Sequence, residues 1–411
     1  MQWNEGTEGS TARARLHGDV AERPDVGGES DLRRRRTPGF PLFKLRGMDA
    51  QTHSDAAADP ELTGQHGVQR EPHATGPTTA AGARTAGGTR PDLTGGTRPD
   101  LAGGTLPDFS LGGTLTVGRL GFGTGGLVGP GYWGPRHADP ARSLAVLRRA
   151  VDRGVTLIDT ADNYGPDVAE ELVARALHPY PDGLVIATKG GVVRTGPDVW
   201  HVAGRPEDLR AMCDASLRRL KTDTIDLYQL HRLDPDVPMA EQLGTLVELQ
   251  QAGKIRHIGL DSIGAAELTR ARELAPIASV QNRYNVLDRA SEDVLELCER
   301  TGTAFLPWFP LGHGTLVGRP GGSGGPKGRS GASASASASA SATDALTTIA
   351  AAHGATTGQI ALAWLLHHSP ALLPTPGTGS PDHLDENLAA ERIALTEAEL
   401  TWLDGLGTVA G

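Results

Sequence analysis

Eight short apolar runs limit what this chain can fold into. They read RLGFGT, TLIDT, LVIAT, IDLYQLH, IRHIGL, IASVQ, AFLPW and ALLPT, spread between Arg119 and Thr375. Each has the length and composition of a single β-strand. The segments between them, such as PARSLAVLRRAVDRG and RPEDLRAMCDASLRRLK, space their apolar residues at helical intervals, and several open on Pro or close on Gly. Strands alternating with helices over about 300 residues predict an α/β fold, a (β/α)8 TIM barrel, with a doubly wound open sheet as the alternative. In such a barrel the chemistry sits just past the C-terminal ends of the strands.

Composition marks where that domain begins. Residues 1–112 are rich in Gly, Arg, Asp, Thr and Pro and carry few apolar clusters, so they cannot bury enough apolar surface to offset the entropy of ordering them. Near their end an eight-residue repeat runs GGTRPDLT, GGTRPDLA, GGTLPDFS, then drifts into LGGTLTVGRL, whose alternation reads as a short hairpin. The expected organisation is a disordered extension over 1–112 and a barrel over 113–411 that starts with a short N-terminal hairpin. A second low-complexity run, GGSGGPKGRSGASASASASASA, predicts a flexible insertion over 319–343. A net charge of -10 and a pI near 5.8 give no support to nucleic acid or an anionic membrane as a partner. The basic run Arg33 to Arg36 reads as a solvated patch in the extension. Cys213 and Cys298 fall in helical stretches, which argues against a disulfide framework. No secretory apolar segment follows Met1 and no run reaches the roughly 18–20 apolar residues of a membrane helix, so a cytoplasmic protein is expected, a monomer or small homo-oligomer.

The stretch LIDTADNYG, Leu157 to Gly165, invites two readings. Locally, its Asp and Asn cap a helix that starts near Pro166, and Tyr164 packs beside it. Under the strand-end rule, Asp159 and Tyr164 instead join Lys189 at the end of the third apolar run and His231 at the end of the fourth. Each alone has a structural reading, a surface lysine or a core histidine. Together they explain one another. A phenol with a pKa near 10 is a weak acid at neutral pH, and a neighbouring ammonium, Lys189, stabilises its phenolate. Asp159 holds that lysine charged, and His231 can hydrogen-bond a carbonyl oxygen. Such a site protonates an oxygen while another group attacks the carbon.

These pieces, with GKIRHIGLDS, SVQNRYN, FLPWFPLG and PGTGSPDHLDENLA, resemble the aldo-keto reductase family in family order over residues 113 to about 405. The resemblance implies a small-molecule carbonyl substrate, an aldehyde or ketone reduced reversibly to an alcohol, with NADPH as hydride donor and NADH as the alternative. It implies Tyr164 as general acid, Lys189 as its partner, Asp159 as the ion-pair anchor and His231 as the carbonyl-orienting group. By the same resemblance Ser262 and Gln281 meet the nicotinamide carboxamide, Trp308 stacks on the nicotinamide, and Pro310 and Leu311 belong to the loop over the pyrophosphate. Gly377, Thr378 and His383 fall at the adenosine phosphates, and Glu386 and Asn387 at the adenine. Trp308 also has the plain reading of a core tryptophan. No G-x-G-x-x-G links a strand to a helix, so a Rossmann domain is not indicated. The chain departs from the family where Asp261 and Ser262 replace Ser-Asn, and where Gly377, Ser380 and His383 stand in place of Lys or Arg near the 2'-phosphate. The segments HPYPDGLVIATKGG and PWFPLG resemble bacterial members associated with pyridoxal reduction. Two other classes compete: a nucleotide-binding regulatory or scaffold member of the same fold, and a metal-dependent barrel hydrolase using His231 and Asp159. The second lacks a closed ligand set in the sequence, so no metal is expected.

Overall fold

The structure is a computed structural model that describes residues 106–317 and 344–407. The expectations for most of the extension and for the insertion over 319–343 lie outside the described residues.

The chain opens with an antiparallel hairpin of β1 (Phe109–Leu111) and β2 (Leu115–Val117). β1 lies ahead of the boundary expected at residue 112, because the third repeat copy supplies Phe109 to the hairpin. Then come β3 (Phe122–Gly123), α1 (Ala141–Asp152), β4 (Leu157–Asp159), α2 (Val168–Leu177) and β5 (Val185–Gly190). A second hairpin, β6 (Val192–Gly196) and β7 (Val199–Val202), precedes α3 (Pro206–Leu220). The alternation resumes with β8 (Ile225–Leu230), α4 (Met239–Gln251), β9 (Ile255–Asp261), α5 (Ala265–Leu274), β10 (Ile277–Arg283), α6 (Glu292–Thr301) and β11 (Ala304–Trp308). Helices α7 (residues 344–353), α8 (Thr357–His368), α9 (Pro381–Ala389) and α10 (Glu397–Asp404) complete the described chain.

Seven of the expected strands form one parallel sheet, in the order β3, β4, β5, β8, β9, β10, β11. The eighth run, ALLPT, closes the barrel without becoming a regular strand. Phe305 N–H donates to Ala371 O and Leu373 N–H donates to Phe305 O, each at 2.8 Å, while Gly121 N–H donates to Pro374 O at 2.9 Å on the other side. Pro370, Pro374 and Pro376 have no N–H to give, so a full ladder cannot form there. The chain is nevertheless a (β/α)8 barrel.

Strand alternation sorts the core into two layers. Leu157, Val185, Ala187, Leu227, Leu306 and Leu373 pack together inside the barrel. Their neighbours Ile158, Ile186 and Tyr228 face the helices. Leu111 and Val117 of the first hairpin belong to the inner cluster, and Gly118 N–H donates to Thr156 Oγ1 just before β4. The hairpin thus plugs the N-terminal end of the barrel and leaves the C-terminal end for the site. Cys213 and Cys298 are buried and unbridged in α3 and α6.

Candidate active site

Two residues beyond the inner apolar layer, the same strands turn polar. Leu157, Ala187 and Leu227 are followed at period two by Asp159, Lys189 and Gln229, and the register sets Asp159 level with Ala187 and Lys189 level with Gln229. This places a polar layer directly on the apolar one. Lys189 is fully buried, and its Nζ donates to Asp159 Oδ1 at 2.7 Å and to Thr160 O at 3.0 Å. Gln229 Nε2 reaches the same carboxylate oxygen at 3.2 Å, and Gln281 Nε2 donates to Oδ2 at 3.0 Å. A buried ion pair survives only if its remaining lone pairs are met by hydrogen bonds, and the two glutamines meet them.

Tyr164 and His231 stand beside this layer. The Lys189 ammonium lies 5.3 Å from the centre of the Tyr164 ring, and the Tyr164 and His231 rings meet edge to face at 6.1 Å. The net shift of the phenol is upward, not the downward one that a neighbouring ammonium alone would give. Burial, then the Asp159 carboxylate, Tyr132 and Asp261, push it well above its ordinary value, so Tyr164 carries its proton at neutral pH. Burial, reinforced by the cations Lys189, Arg232 and Arg194, drives the His231 pKa well below the usual imidazole range and keeps the ring neutral. Asp261 sits at the end of β9, where Arg232 Nη1 and Ser262 Oγ each donate to its Oδ1 at 2.7 Å. Burial raises its carboxyl to about 6, against the opposing pull of Arg232.

Asp162 and Asn163 do not cap a helix. The first residue of α2 is Val168, and no side-chain oxygen caps that helix. Asp162 is buried, and burial with the nearby Glu170 carboxylate pushes its pKa well above the carboxylate range. Asn163 turns inward instead: its Nδ2 donates to Val192 O at 3.2 Å and lies 3.0 Å from His231 Nδ1.

A cavity of about 910 Å³ opens over this layer. Its wall includes Asp159, Tyr164, Gln281, Trp308, Pro310 and Leu311 at the catalytic side and Gly377, Thr378, His383, Glu386 and Asn387 farther along. Lys189 and His231 stand behind that wall. Ser262 departs from its expected place: it is absent from the cavity wall, and its hydroxyl donates to Asp261. Its backbone, at φ +54°, is left-handed. The sequence also missed several residues the fold brings here. Tyr132 comes from the segment after β3, and its ring lies 5.3 Å from that of Tyr164. Trp200 comes from the β6–β7 hairpin, its ring 5.8 Å from Tyr132 and 6.0 Å from His231. Arg136 and His137 join the cavity wall, and Arg136 Nη1 donates to Gly126 O at 3.1 Å. The turn signal TGPD between VVR and VWHV could have revealed the hairpin.

The cavity fits a nicotinamide dinucleotide. The Trp308 indole Nε1 is buried with no hydrogen-bond partner, on a wall shared with Asp159 and Tyr164. At the closing seam the backbone leaves no room for side chains: a Cβ on Gly123 would meet the Thr375 carbonyl at 2.6 Å.

The aldo/keto reductase family profile matches residues 119–407. An uncharacterised oxidoreductase of Schizosaccharomyces pombe is 41% identical over 295 residues, 72% of this chain and 88% of that protein. The pyridoxine 4-dehydrogenase of Escherichia coli is 37% identical over 300 residues, covering 72% of this chain and 96% of its own length. Among solved structures, an aldo-keto reductase of Bacillus halodurans in its holo form superposes with a TM-score of 0.63 at 28% identity, over 74% of this chain and 97% of that one. One from Klebsiella pneumoniae in complex with NADPH gives 0.57 at 27% identity, over 73% and 94%. A parallel barrel with an acid, a lysine, a phenol and an imidazole at its C-terminal rim defines an oxidoreductase of carbonyl groups. The chain belongs to the aldo/keto reductase family. Among the described residues no helix is long and apolar enough to cross a membrane.

Proposed function

We propose that this chain reduces a small aromatic aldehyde of the pyridoxal type to its alcohol, reversibly, with NADPH as the preferred cofactor. The observation that carries the reading is the placement of Tyr164, still protonated, on a cavity wall backed by the buried Lys189–Asp159 pair. Tyr164 gives its proton to the carbonyl oxygen. Lys189 stabilises the phenolate left behind, Asp159 holds Lys189 in place, and His231 orients the oxygen. A bound reduced nicotinamide supplies the hydride. Gln281, Trp308 and the wall from Gly377 to Asn387 would hold it, while Gln281 also braces Asp159.

Two features support the finer points. Tyr132 and Trp200 frame Tyr164 and His231 with aromatic rings, which suits a flat aromatic substrate, and the similarity to pyridoxine 4-dehydrogenase runs the same way. Arg136 supplies a guanidinium on the same cavity wall as His383, where the sequence offered no Lys or Arg, and it has no acidic partner within ion-pair distance among the described residues. Titrating the protein with NADPH and with NADH, then assaying a carbonyl panel that includes pyridoxal, tests the proposal. Equal affinity for the two cofactors removes the NADPH preference, and tight cofactor binding without carbonyl turnover would turn the reading to a regulatory member of the fold.

A further inference from the structure

The residue before Tyr164 is tied to the catalytic imidazole in a way that settles where its proton sits. Val192 O can only accept, so the end of the Asn163 side chain that lies 3.2 Å from it must be the NH2 group. That same nitrogen lies 3.0 Å from His231 Nδ1. One of its hydrogens is used by Val192, and the other points at the ring. An N–H on Nδ1 would set two donors head to head, so Nδ1 must offer its lone pair. The ring is 4% exposed, and no water-rich surface competes for this contact.

We propose that Asn163 is a positioning residue that holds His231 as the neutral tautomer bearing its proton on Nε2. The proposal rests on the carbonyl-reduction reading for its catalytic consequence, though not for the tautomer itself. A neutral imidazole with Nε2–H presents a donor to the substrate oxygen. The reverse tautomer would present a lone pair to an oxygen that is gaining negative charge. Among the described residues the anion within ion-pair distance of Nε2 is Asp261, whose Oδ2 lies 3.8 Å away, beyond hydrogen-bond distance, so the donor stays available. The other charged groups around the ring are the cations Lys189, Arg232 and Arg194, each of which opposes a second proton, and Tyr164 and Trp200 flank it edge-on. Asn163 acts in the same direction as the cations: an imidazolium would need Nδ1–H, and the amide forbids it. Proton balance in the reduction is unaffected, since His231 lends a hydrogen bond and Tyr164 alone gives up a proton.

The replacement that separates this from a packing role is Asn163→Asp, which keeps the shape and inverts the demand. A carboxylate must accept at Nδ1, so it pulls the proton from Nε2 to Nδ1. Long-range ¹⁵N–¹H spectra of the full chain, with the His231 signals identified by their loss in His231→Gln, should show Nε2–H in the wild type and Nδ1–H in Asn163→Asp. With NADPH affinity unchanged, kcat/KM of Asn163→Asp should fall about 100-fold at pH 8. It should recover as the pH drops and the new carboxyl becomes protonated, a slope the wild type lacks. Asn163→Ala, which removes the donor without adding charge, should lose about 10-fold with a mixed tautomer and no such slope. Nδ1–H in the wild type overturns the proposal. So does an Asn163→Asp protein with the wild-type tautomer and pH profile. A wild-type protein that shows Nε2–H yet turns over no carbonyl supports the tautomer assignment and refutes the functional reading instead.

Discussion

The two sides of the cavity are made by opposite means. On one side, β4, β5 and β8 are regular neighbours, and their ends deliver Asp159, Lys189 and Gln229 into a network in which each charge has its partner inside the protein. On the other, the seam over residues 371–379 carries three prolines in and beside it and two glycines and makes only isolated ladder bonds, and the same cavity wall holds a Trp308 nitrogen left without a partner. The difference separates two tasks. Reacting groups are held by side chains on rigid strands, where small displacements are penalised by buried polar groups losing their bonds. A ligand is held by close backbone and unsatisfied donors that wait for it.

The comparison breaks most sharply at Tyr164. Tyr164→Phe removes the proposed proton donor from the rigid side and should lower kcat/KM by about 10²–10⁴ while leaving cofactor affinity intact. Pre-steady-state hydride transfer measured at saturating NADPH checks it, and loss of cofactor binding instead would mean that the two sides are not separable. Lys189→Met comes next. It leaves Asp159 as an unpaired buried charge and should cost about 3–5 kcal/mol in urea unfolding, part of which returns when Asp159→Asn is added. If the single variant is as stable as wild type, the buried pair is not what makes that side rigid.

A smaller effect comes from Asp261. Its carboxyl is raised to about 6 in the fold, against about 3.9 for an exposed aspartate, so the folded state holds the proton more tightly than the unfolded one. Stability is therefore greatest below pH 4 with respect to this group and is lost as the pH rises through 6, by about 3 kcal/mol in all. Asp261→Asn should flatten that slope in denaturation curves taken across the window. The least effect is expected at the ligand-holding side: Arg136→Ala should weaken NADPH binding about 10-fold and leave NADH unchanged, read by fluorescence titration.

How much of this was visible in the sequence follows from how far apart the partners lie. Asp159, Lys189 and His231 could be read because each ends its own apolar strand, and period two with a strand-end rule needs no long-range contact. Asn163 could not. Its caps-and-turns identity suits a helix start, whereas its actual partner, His231, is 68 positions along the chain. Tyr132, Arg136 and Trp200 come from loops and a hairpin, where no periodicity points into the cavity. The ALLPT run was recognisable as the eighth wall of the barrel, but the prolines that keep it from a regular ladder act by removing donors, which an apolar pattern does not record. Ser262 was placed by resemblance, and the neighbouring Asp261, which now takes its hydroxyl, was the one residue there without an assigned role.

The proline-poor half and the proline-marked seam also differ in time. A barrel is a ring, and a ring opens where it is joined by the fewest bonds. With only three backbone bonds joining residues 371–374 to the neighbouring strands among the described residues, that arc should exchange its amide hydrogens sooner than β5 or β8, marking the order in which the wall loosens. A nucleotide lodged beside Gly377 would then act as a clasp on the ring, and its departure would be felt first as a quickening of those few amides.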